Sequence, residues 1–158
     1  MSKLVGVEHN VALHHSDLRS LDTKILSEIG CSGAVAQEIS DHLVDADLSG
    51  IHSHGTMRLS QYVVQYQQNL WTPSALPRIF QSRLGSWIVD GQDCHGITAV
   101  RVGVRHCVDQ ALERKSAGIA CVGVRNCGHT GRIGVFAEEG AKRGCLTFVI
   151  GGGSRVMC

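Results

Sequence analysis

Residues 119–124 of the chain read IACVGV, a short and almost entirely apolar run. A run of this kind is typical of a strand that is buried on both faces of a parallel sheet. A second such run, LTFVI, occupies residues 146–150. Apolar residues at helical spacing come before the first run, up to about residue 115, and again between the two runs. The order helix, strand, helix, strand from residue 98 to residue 150 therefore predicts an α/β lobe with a partly parallel sheet.

The residues before this lobe predict helices. Apolar positions recur at helical spacing within residues 16–30, 32–50 and 53–71, as they do on the buried face of a helix. Each pattern begins near a serine that can cap a helix N-terminus: Ser16, Ser32 and Ser53. Gly30 and Gly50 end the first two patterns, and Pro73 lies just beyond the third.

Two short strands are predicted between the helices and the α/β lobe, at residues 78–81 and 86–90. Asp90-Gly91 is a strong turn signal and predicts the end of the second strand. We therefore divide the chain into a helical lobe, residues 1–72, and an α/β lobe, residues 73–158. Because a sheet with so few strands is marginal by itself, we expect the second lobe to be incomplete and the chain to be the front part of a larger protein.

Composition and charge argue against several classes of protein. The 158 residues include 15 Lys+Arg and 14 Asp+Glu, for a formal net charge of +1, whereas nucleic-acid binding needs a clustered excess of basic side chains. No apolar run is long enough to cross a bilayer, so we expect no membrane partner. The first residues show no signal peptide, and the seven cysteines are scattered without a Cys-x-x-Cys pair. We expect reduced thiols, no bound metal and a cytoplasmic location.

The segment from Ser53 to Arg58 carries the clearest candidate site. In a helix that begins at Ser53, His54 and Arg58 would lie one turn apart on the same face. An imidazole and a guanidinium do not attract each other, but together they can bind an organic acid. Arg58 would hold its carboxylate through two parallel hydrogen bonds, and His54 would exchange a proton with a neighbouring oxygen. The alternative is that Ser53 only caps the helix and that His54 and Arg58 are solvated surface residues.

A glycine-rich loop at residues 126–134, NCGHTGRIG, links a predicted strand to a predicted helix. Backbone amides at such a helix start attract anions, and glycines allow a phosphate or a flat ring to approach. The spacing is G-x-x-G-x-x-G and not the G-x-G-x-x-G of a Rossmann fold, so a tight strand-to-helix turn is an equally good interpretation. Two weaker alternatives are a metal site at His52 and His54 and a thiol nucleophile at Cys127 beside His129.

Several blocks of the sequence together resemble one protein family. Residues 46–59 read ADLSGIHSHGTMRL and are followed by Tyr62; VDG occupies 89–91, GIA 118–120 and VRN 124–126, and the last block continues with His129, Gly131 and Gly134. In this order the blocks resemble the malate/L-lactate dehydrogenases of the sulfolactate dehydrogenase-like type. That family also includes ureidoglycolate dehydrogenase and Δ1-piperideine-2-carboxylate reductase. The resemblance extends from about residue 16 to residue 150.

The resemblance implies an NAD(P)-dependent oxidoreductase that interconverts 2-hydroxy acids and 2-keto acids, or their imine analogues, and acts as a homodimer. It also implies an α/β nicotinamide-binding domain that is not a Rossmann fold, combined with a helical domain. By resemblance, His54 is the proton donor or acceptor with Ser53 in its relay, and Arg58 binds the substrate carboxylate. The implied cofactor loop has five residues, of which the first lies near the nicotinamide and the substrate: His129, Thr130, Gly131, Arg132 and Ile133.

The chain departs from the family in length, since family members are roughly twice as long, as two-lobed dinucleotide enzymes usually must be. Gly152 to Arg155 stand where the family has an Asn-Ser loop. By resemblance, we expect the Asp of the histidine relay and most contacts to the adenosine and diphosphate to lie outside these 158 residues. We therefore expect a truncated form with little or no dehydrogenase activity by itself. The alternative is a non-catalytic form that associates with a full-length subunit. The identity of the 2-hydroxy acid and the choice between NAD and NADP stay open.

Overall fold

The computed structural model describes residues 13–83, 86–113 and 118–152. Two 3-10 turns, His52–His54 and Thr56–Arg58, lie directly before the third helix. The helices and strands of the described residues are, in chain order, α1 His15–Glu28, α2 Gly33–Leu48, α3 Leu59–Gln67, β1 Arg78–Gln81, β2 Trp87–Cys94, α4 Gly96–Leu112, β3 Val122–Cys127 and α5 Gly134–Lys142. The predicted α/β fold class with a helical N-terminal lobe is confirmed. The boundary between residues 72 and 73 stays a prediction.

The three strands form one mixed sheet in the order β1-β2-β3. β1 pairs antiparallel with β2, and β2 pairs parallel with β3. Because parallel neighbours need a crossover, the chain passes from β2 to β3 through α4, which packs against both strands. The prediction of a partly parallel sheet is confirmed.

Helix α2 runs through the main core cluster. Its predicted buried stripe is buried as expected: Val35, Ile39, Leu43 and Ala46. The cluster around α2 also takes a fully buried side chain from each of the other four helices: Leu26, Tyr62, Ile97 and Phe136. Helix α2 therefore lies within a cluster to which all five described helices contribute, and it packs directly against α1 and α4.

The helix ends follow the sequence signals in most places. Ser32 caps α2 by accepting a hydrogen bond from the backbone N–H of Val35, as predicted. Ser16 does not cap α1, because that helix begins one residue earlier and its N-cap is His14, which accepts from the backbone N–H of Ser16. Gly30 follows α1 with φ +102°, a left-handed conformation that favours glycine at a helix end.

Strand β2 does not end at Asp90-Gly91, so the predicted turn is wrong. The strand runs on to Cys94, with an irregular register against β3 between Asp90 and Cys94. Gly91 is needed for close approach instead, because a Cβ at this position would lie 2.8 Å from Cβ of Cys127. A pattern of turn residues and a pattern of bulge residues are alike in sequence, since both favour glycine and aspartate.

The two runs predicted as strands buried on both faces are not buried in this way. The first begins three residues late, as β3, and its residues alternate between half-buried and exposed along most of its length; Ile119 lies outside it and is 83% exposed. Residues 146–150 form no strand, and Leu146, Phe148 and Ile150 are 86%, 79% and 93% exposed. Both predictions assumed cover on two faces, whereas the described residues cover only one.

The fold predicts a large effect for one glycine-to-alanine substitution and almost none for another. A Cβ on Gly96 would collide with the backbone carbonyls of Gly128 and His129, whereas nothing lies within 4 Å of a Cβ on Gly123. We expect Gly96→Ala to lower the free energy of unfolding by about 1–3 kcal/mol in a urea titration, the usual cost of overpacking. Gly123→Ala is the matched control and should change it by no more than about 0.5 kcal/mol. Equal urea midpoints for the two variants would contradict the close packing of α4 on the 128–129 backbone.

Candidate active site

The segment that carries Ser53, His54 and Arg58 is not part of an α-helix. It forms two 3-10 turns, and α3 begins only at Leu59. The prediction that a helix begins at Ser53 is therefore wrong, and Ser53 does not cap it. Gly55 separates the two turns with an extended backbone, φ −88° and ψ −160°, so His54 and Arg58 are not one helical turn apart.

The carboxylate of Asp47, near the end of α2, holds this segment in its folded form. Its Oδ2 accepts a hydrogen bond from the backbone N–H of Thr56 at 2.8 Å, and its Oδ1 lies 3.0 Å from Nδ1 of His52. A Cβ on Gly55 would overlap with the same carboxylate. The segment therefore folds around a side chain of α2, which accounts for the absence of the regular helix that the spacing predicted.

Arg58 is half-buried and uses part of its guanidinium within the chain. Nε donates to the backbone carbonyl of Ser53 at 2.6 Å, and Nη1 donates to Oε1 of Gln61 at 2.7 Å. Arginine has five N–H donors in a rigid plane. Among the described residues no side chain bonds to Nη2 of Arg58, so two anchored donors orient a guanidinium edge that can still bind an anion.

His54 is half-buried and lies between Ser53 and His129. Its Nδ1 is 3.0 Å from Oγ of Ser53. The centroid of its ring is 5.7 Å from the centroid of the His129 ring, and the two ring planes are at an angle of 25°. The structure therefore brings Ser53, His54 and His129 together, although His129 is 75 residues further along the chain than His54.

His129 is held as a neutral imidazole in a defined tautomer. Its Nδ1 accepts hydrogen bonds from Oη of Tyr62 at 2.8 Å and from the backbone N–H of Gly131 at 3.2 Å. Because Nδ1 is the acceptor, the proton of the neutral ring is on Nε2. The pKa of His129 is lowered to about 4, mainly by burial and in part by the charges of Arg58 and His54.

Tyr62 is a member of the site to which the sequence analysis gave no role, since it was named there only as part of the block that resembles the family. It is fully buried, and burial raises the pKa of its hydroxyl, so the hydroxyl stays protonated and donates to His129. A sequence signal for this role exists, because a buried tyrosine needs a partner for its hydroxyl. The partner itself could not be predicted, since it lies 67 residues further along the chain.

The backbone of the glycine-rich loop is bound to the protein's own acceptors. The N–H groups of Gly128, Gly131 and Arg132 donate to Cys94 O, His129 Nδ1 and His42 Nε2. These three amides are therefore not free to bind a phosphate. Gly131 has φ +68°, which requires a residue that tolerates the left-handed region. The loop is a turn held by these hydrogen bonds, and its surface can pack against a flat ring.

The remaining residues of the predicted cofactor loop lie beside this turn. Thr130 is half-buried, and Ile133 is 43% exposed at the start of α5. The guanidinium of Arg132 turns away to form ion pairs with Asp45 at 2.8 Å and Glu138 at 3.0 Å.

Neither of the weaker alternatives gains support from the described residues. Burial raises the pKa of Cys127, which disfavours the thiolate that a nucleophile needs. Residues 13–83, 86–113 and 118–152 contain no group of three His, Cys, Asp or Glu side chains that could hold a metal ion. In the same residues no helix is both long and apolar enough to span a membrane.

The comparison with protein families agrees with the sequence resemblance. Residues 13–158 match the profile of the family described as malate/L-lactate dehydrogenase. The chain belongs to this family. The resemblance predicted from the blocks at residues 46–59 and 118–134 is thereby confirmed.

Individual family members match the chain over a limited part of their own length. The chain is 28% identical over 129 residues to ureidoglycolate dehydrogenase (NAD(+)) from Escherichia coli strain K12. It is 27% identical over 139 residues to a malate dehydrogenase from Pyrococcus abyssi. These matches cover 82% and 88% of the chain but 36% and 38% of the relatives. The chain thus spans well under half the length of the curated relatives that it matches.

Solved structures of the family have the same fold over the matched part. A malate dehydrogenase from Entamoeba histolytica superposes with a TM-score of 0.78 at 25% identity, covering 87% of this chain and 37% of that one. The sulfolactate dehydrogenase from Methanocaldococcus jannaschii gives a TM-score of 0.74 at 26% identity, covering 82% and 37%. The α/β fold with a helical N-terminal lobe is therefore a property that this chain shares with named dehydrogenases.

In this family member, a buried acid lies directly beneath the Ser53–Arg58 segment. Asp22 of α1 is fully buried, and its Oδ2 accepts a hydrogen bond from Oγ1 of Thr56 at 3.1 Å. Its other oxygen, Oδ1, has no hydrogen-bond partner among the described residues. Burial raises the pKa of Asp22 from 3.8 to about 6; the bond from Thr56 lowers it in part, and the charge of Asp47 raises it.

Asp22 predicts a stabilising substitution whose effect depends on pH. A carboxyl whose pKa is higher in the folded than in the unfolded chain stabilises the fold below about pH 4, and that contribution is lost as the pH rises through about 6. Asp22→Asn mimics the protonated acid and keeps an acceptor for Thr56. We expect it to raise the free energy of unfolding by about 2–3 kcal/mol at pH 7.5.

The same Asp22→Asn comparison at pH 4 is the internal control. There the two chains should differ in unfolding free energy by only about 0.5 kcal/mol, because at pH 4 Asp22 is protonated in the folded wild type and about half protonated in the unfolded chain. A difference in unfolding free energy that is the same at pH 4 and pH 7.5 would contradict the raised pKa of the buried acid.

Proposed function

We propose that the chain carries the substrate half of an NAD(P)-dependent oxidoreductase that interconverts malate-like or lactate-like 2-hydroxy acids and 2-keto acids. One observation carries the proposal. Arg58, whose guanidinium is anchored, lies in the same segment as His54. The ring of His54 faces the neutral ring of His129, with 5.7 Å between the ring centroids. An anion ligand, a proton carrier and a neutral N–H donor are the groups that a 2-keto acid needs around its two adjacent carbons.

In this proposal Arg58 binds the substrate carboxylate. Its Nε and Nη1 are already bonded to Ser53 and Gln61, so the plane of the guanidinium is set before substrate arrives. A carboxylate can then meet the Nη2 edge with little loss of side-chain entropy. Burial and, in second place, the positive charge of Arg58 lower the pKa of His129, so this imidazole stays a neutral N–H donor.

His54 is proposed to move the proton at the substrate oxygen. When His54 is protonated, Nδ1–H donates a hydrogen bond to Oγ of Ser53. Nε2–H can then give its proton to the carbonyl oxygen of the substrate, which becomes the hydroxyl of the product. In the reverse direction, neutral His54 takes the hydroxyl proton through Nε2. Ser53 is therefore a positioning residue, because its hydroxyl fixes which ring nitrogen of His54 faces the substrate.

The loop from His129 to Ile133 fits a nicotinamide ring better than a phosphate. Two of its amides are bound to imidazoles of the protein, and His129 is neutral, so the turn does not repel the cationic ring of an oxidised cofactor. The residues proposed to hold NAD or NADP are those of the predicted loop: His129, Thr130, Gly131, Arg132 and Ile133. The bound cofactor would supply the hydride to the keto carbon.

A second candidate function is association with a longer subunit of the same family. Leu146, Phe148 and Ile150 are largely exposed, and such a group of large apolar side chains favours cover by further polypeptide. This observation also supports the proposed homodimer, and the scattered free cysteines support the proposed cytoplasmic location. Co-purification with a longer homologue, together with no binding of NADH, would favour this second function.

The proposed function predicts that the purified chain binds a 2-keto acid through Arg58. Arg58→Lys keeps the positive charge but loses the planar pair of donors. In a calorimetric titration with pyruvate or oxaloacetate, we expect this variant to raise Kd by about tenfold or more. His54→Gln should change Kd by only about threefold, since the proton carrier does not bind the carboxylate.

Arg105→Lys is the matched control, because Arg105 is exposed on α4 and borders Glu139 and Lys142 of α5. It should bind the keto acid as the wild type does. The proposed role of Arg58 fails if a folded wild type shows no binding, or if Arg58→Lys binds as tightly as Arg105→Lys.

A further inference from the structure

His42 of α2 is a buried imidazole to which the proposed mechanism gives no part. It is 2% exposed, and its Nε2 accepts a hydrogen bond from the backbone N–H of Arg132 at 2.9 Å. The two residues are 90 positions apart in the chain. A core histidine needs no such partner to pack, so this bond ties α2 specifically to the glycine-rich loop.

The imidazole of His42 also occupies the space where Gly131 would have a side chain. A Cβ on Gly131 would collide with Nε2 of His42 and would lie 3.1 Å from Cγ1 of Ile97. On another side, the ring of His42 packs against the ring of Phe136 at 5.3 Å. His42 therefore contacts the turn both through a hydrogen bond and through its ring.

Two successive amides of this turn are bound by two different histidines. The N–H of Gly131 donates to Nδ1 of His129, and the N–H of Arg132 donates to Nε2 of His42. One histidine faces the candidate site, and the other belongs to the core. Because the two amides are adjacent in the backbone, the peptide orientation that His42 selects for Arg132 also limits the direction of the Gly131 N–H.

The surroundings of His42 keep it an acceptor. The charged groups that face it are Arg101, with Nη2 at 3.5 Å from Nδ1, and Arg132 with its partner Asp45. The pKa of His42 is lowered to about 3, mainly by burial and in part by the charges of Arg101, Arg132 and His129, against an opposing effect of Asp45. A protonated ring would lose its acceptor on Nε2, so the bond to Arg132 needs the neutral form.

We propose that His42 is a positioning residue that orients the Gly131–Arg132 turn and, through the N–H of Gly131, the ring of His129 in the candidate site. Only one consequence of this inference rests on the proposed function: the surface of the turn that would pack against the nicotinamide depends on an acceptor in α2. The positioning itself is a property of the chain alone.

The test compares two amide side chains at this position. The Oε1 of Gln can take the place of Nε2 and accept from Arg132, whereas the shorter Asn places its oxygen near Nδ1 and cannot reach. Both are polar and similar in chemistry, so the comparison His42→Gln against His42→Asn isolates the acceptor. His42→Leu adds a variant that fills the space without any acceptor.

The readouts are hydrogen exchange of the Arg132 amide and the side-chain nitrogen signals of His129, both by NMR on the full chain without ligand. We expect exchange within about threefold of wild type in His42→Gln and at least about tenfold faster in His42→Asn and His42→Leu. In the two latter variants Nδ1 of His129 should lose its defined acceptor signal. A structural role alone would lower stability in all three variants without this order.

Equal Arg132 exchange in His42→Gln and His42→Asn, with unchanged His129 signals, would overturn the proposal. A separate titration with NADH distinguishes it from the proposed function. If the wild type binds no NADH but the exchange order holds, the cofactor proposal fails and the positioning role of His42 stands. If the wild type binds NADH and the exchange order is absent, the positioning role fails alone.

Discussion

The candidate site depends on one constraint: the C-terminal half of α2 supplies the acceptors that hold both of its loops. Asp47 binds the backbone of Thr56, and His42 binds the backbone of Arg132. Between them, Asp45 forms an ion pair with the side chain of Arg132. Because α2 is also central to the main core cluster, its acceptors hold both loops in fixed positions, although neither loop is a regular helix or strand.

The charges around the site follow from burial. Three histidines, His42, His95 and His129, are kept neutral by desolvation, which lowers the pKa of each well below 6.5. Burial raises the pKa of Asp22 instead, since it favours the neutral form of this acid. Arg58 is then a fixed cation whose charge acts on His129. A single cation among neutral groups suits a substrate with one carboxylate next to a carbonyl.

Local signals in the sequence predicted the helices well and the loops poorly. The buried stripe of α2 and the cap at Ser32 follow from periodicity and side-chain chemistry, which are local. The two-faced burial of residues 119–124 and 146–150 was wrong, because burial depends on cover that spacing does not show. For the site, the sequence predicted a role for Ser53, His54 and Arg58, but it did not predict how the backbone arranges them. The carboxylate of Asp47 and the hydroxyl of Tyr62 shape it through contacts between distant elements.

Family membership and local chemistry contribute different parts of the account. The family relation establishes the fold and the class of named relatives, while the proposed roles rest on hydrogen bonds within this chain. These bonds join Ser53 to His54 and Tyr62 to His129. With these bonds in place, the ring of His54 faces the ring of His129, and the proposed substrate site rests on this arrangement.

The most direct measurement is a two-dimensional nitrogen–proton NMR spectrum of the histidine side chains, recorded near pH 6 with and without a 2-keto acid. We expect free His129 to be neutral with its proton on Nε2, and we expect the acid to shift the ring signals of both His54 and His129. The proposed site is contradicted if His129 titrates like a solvent-exposed histidine, or if the acid shifts neither ring.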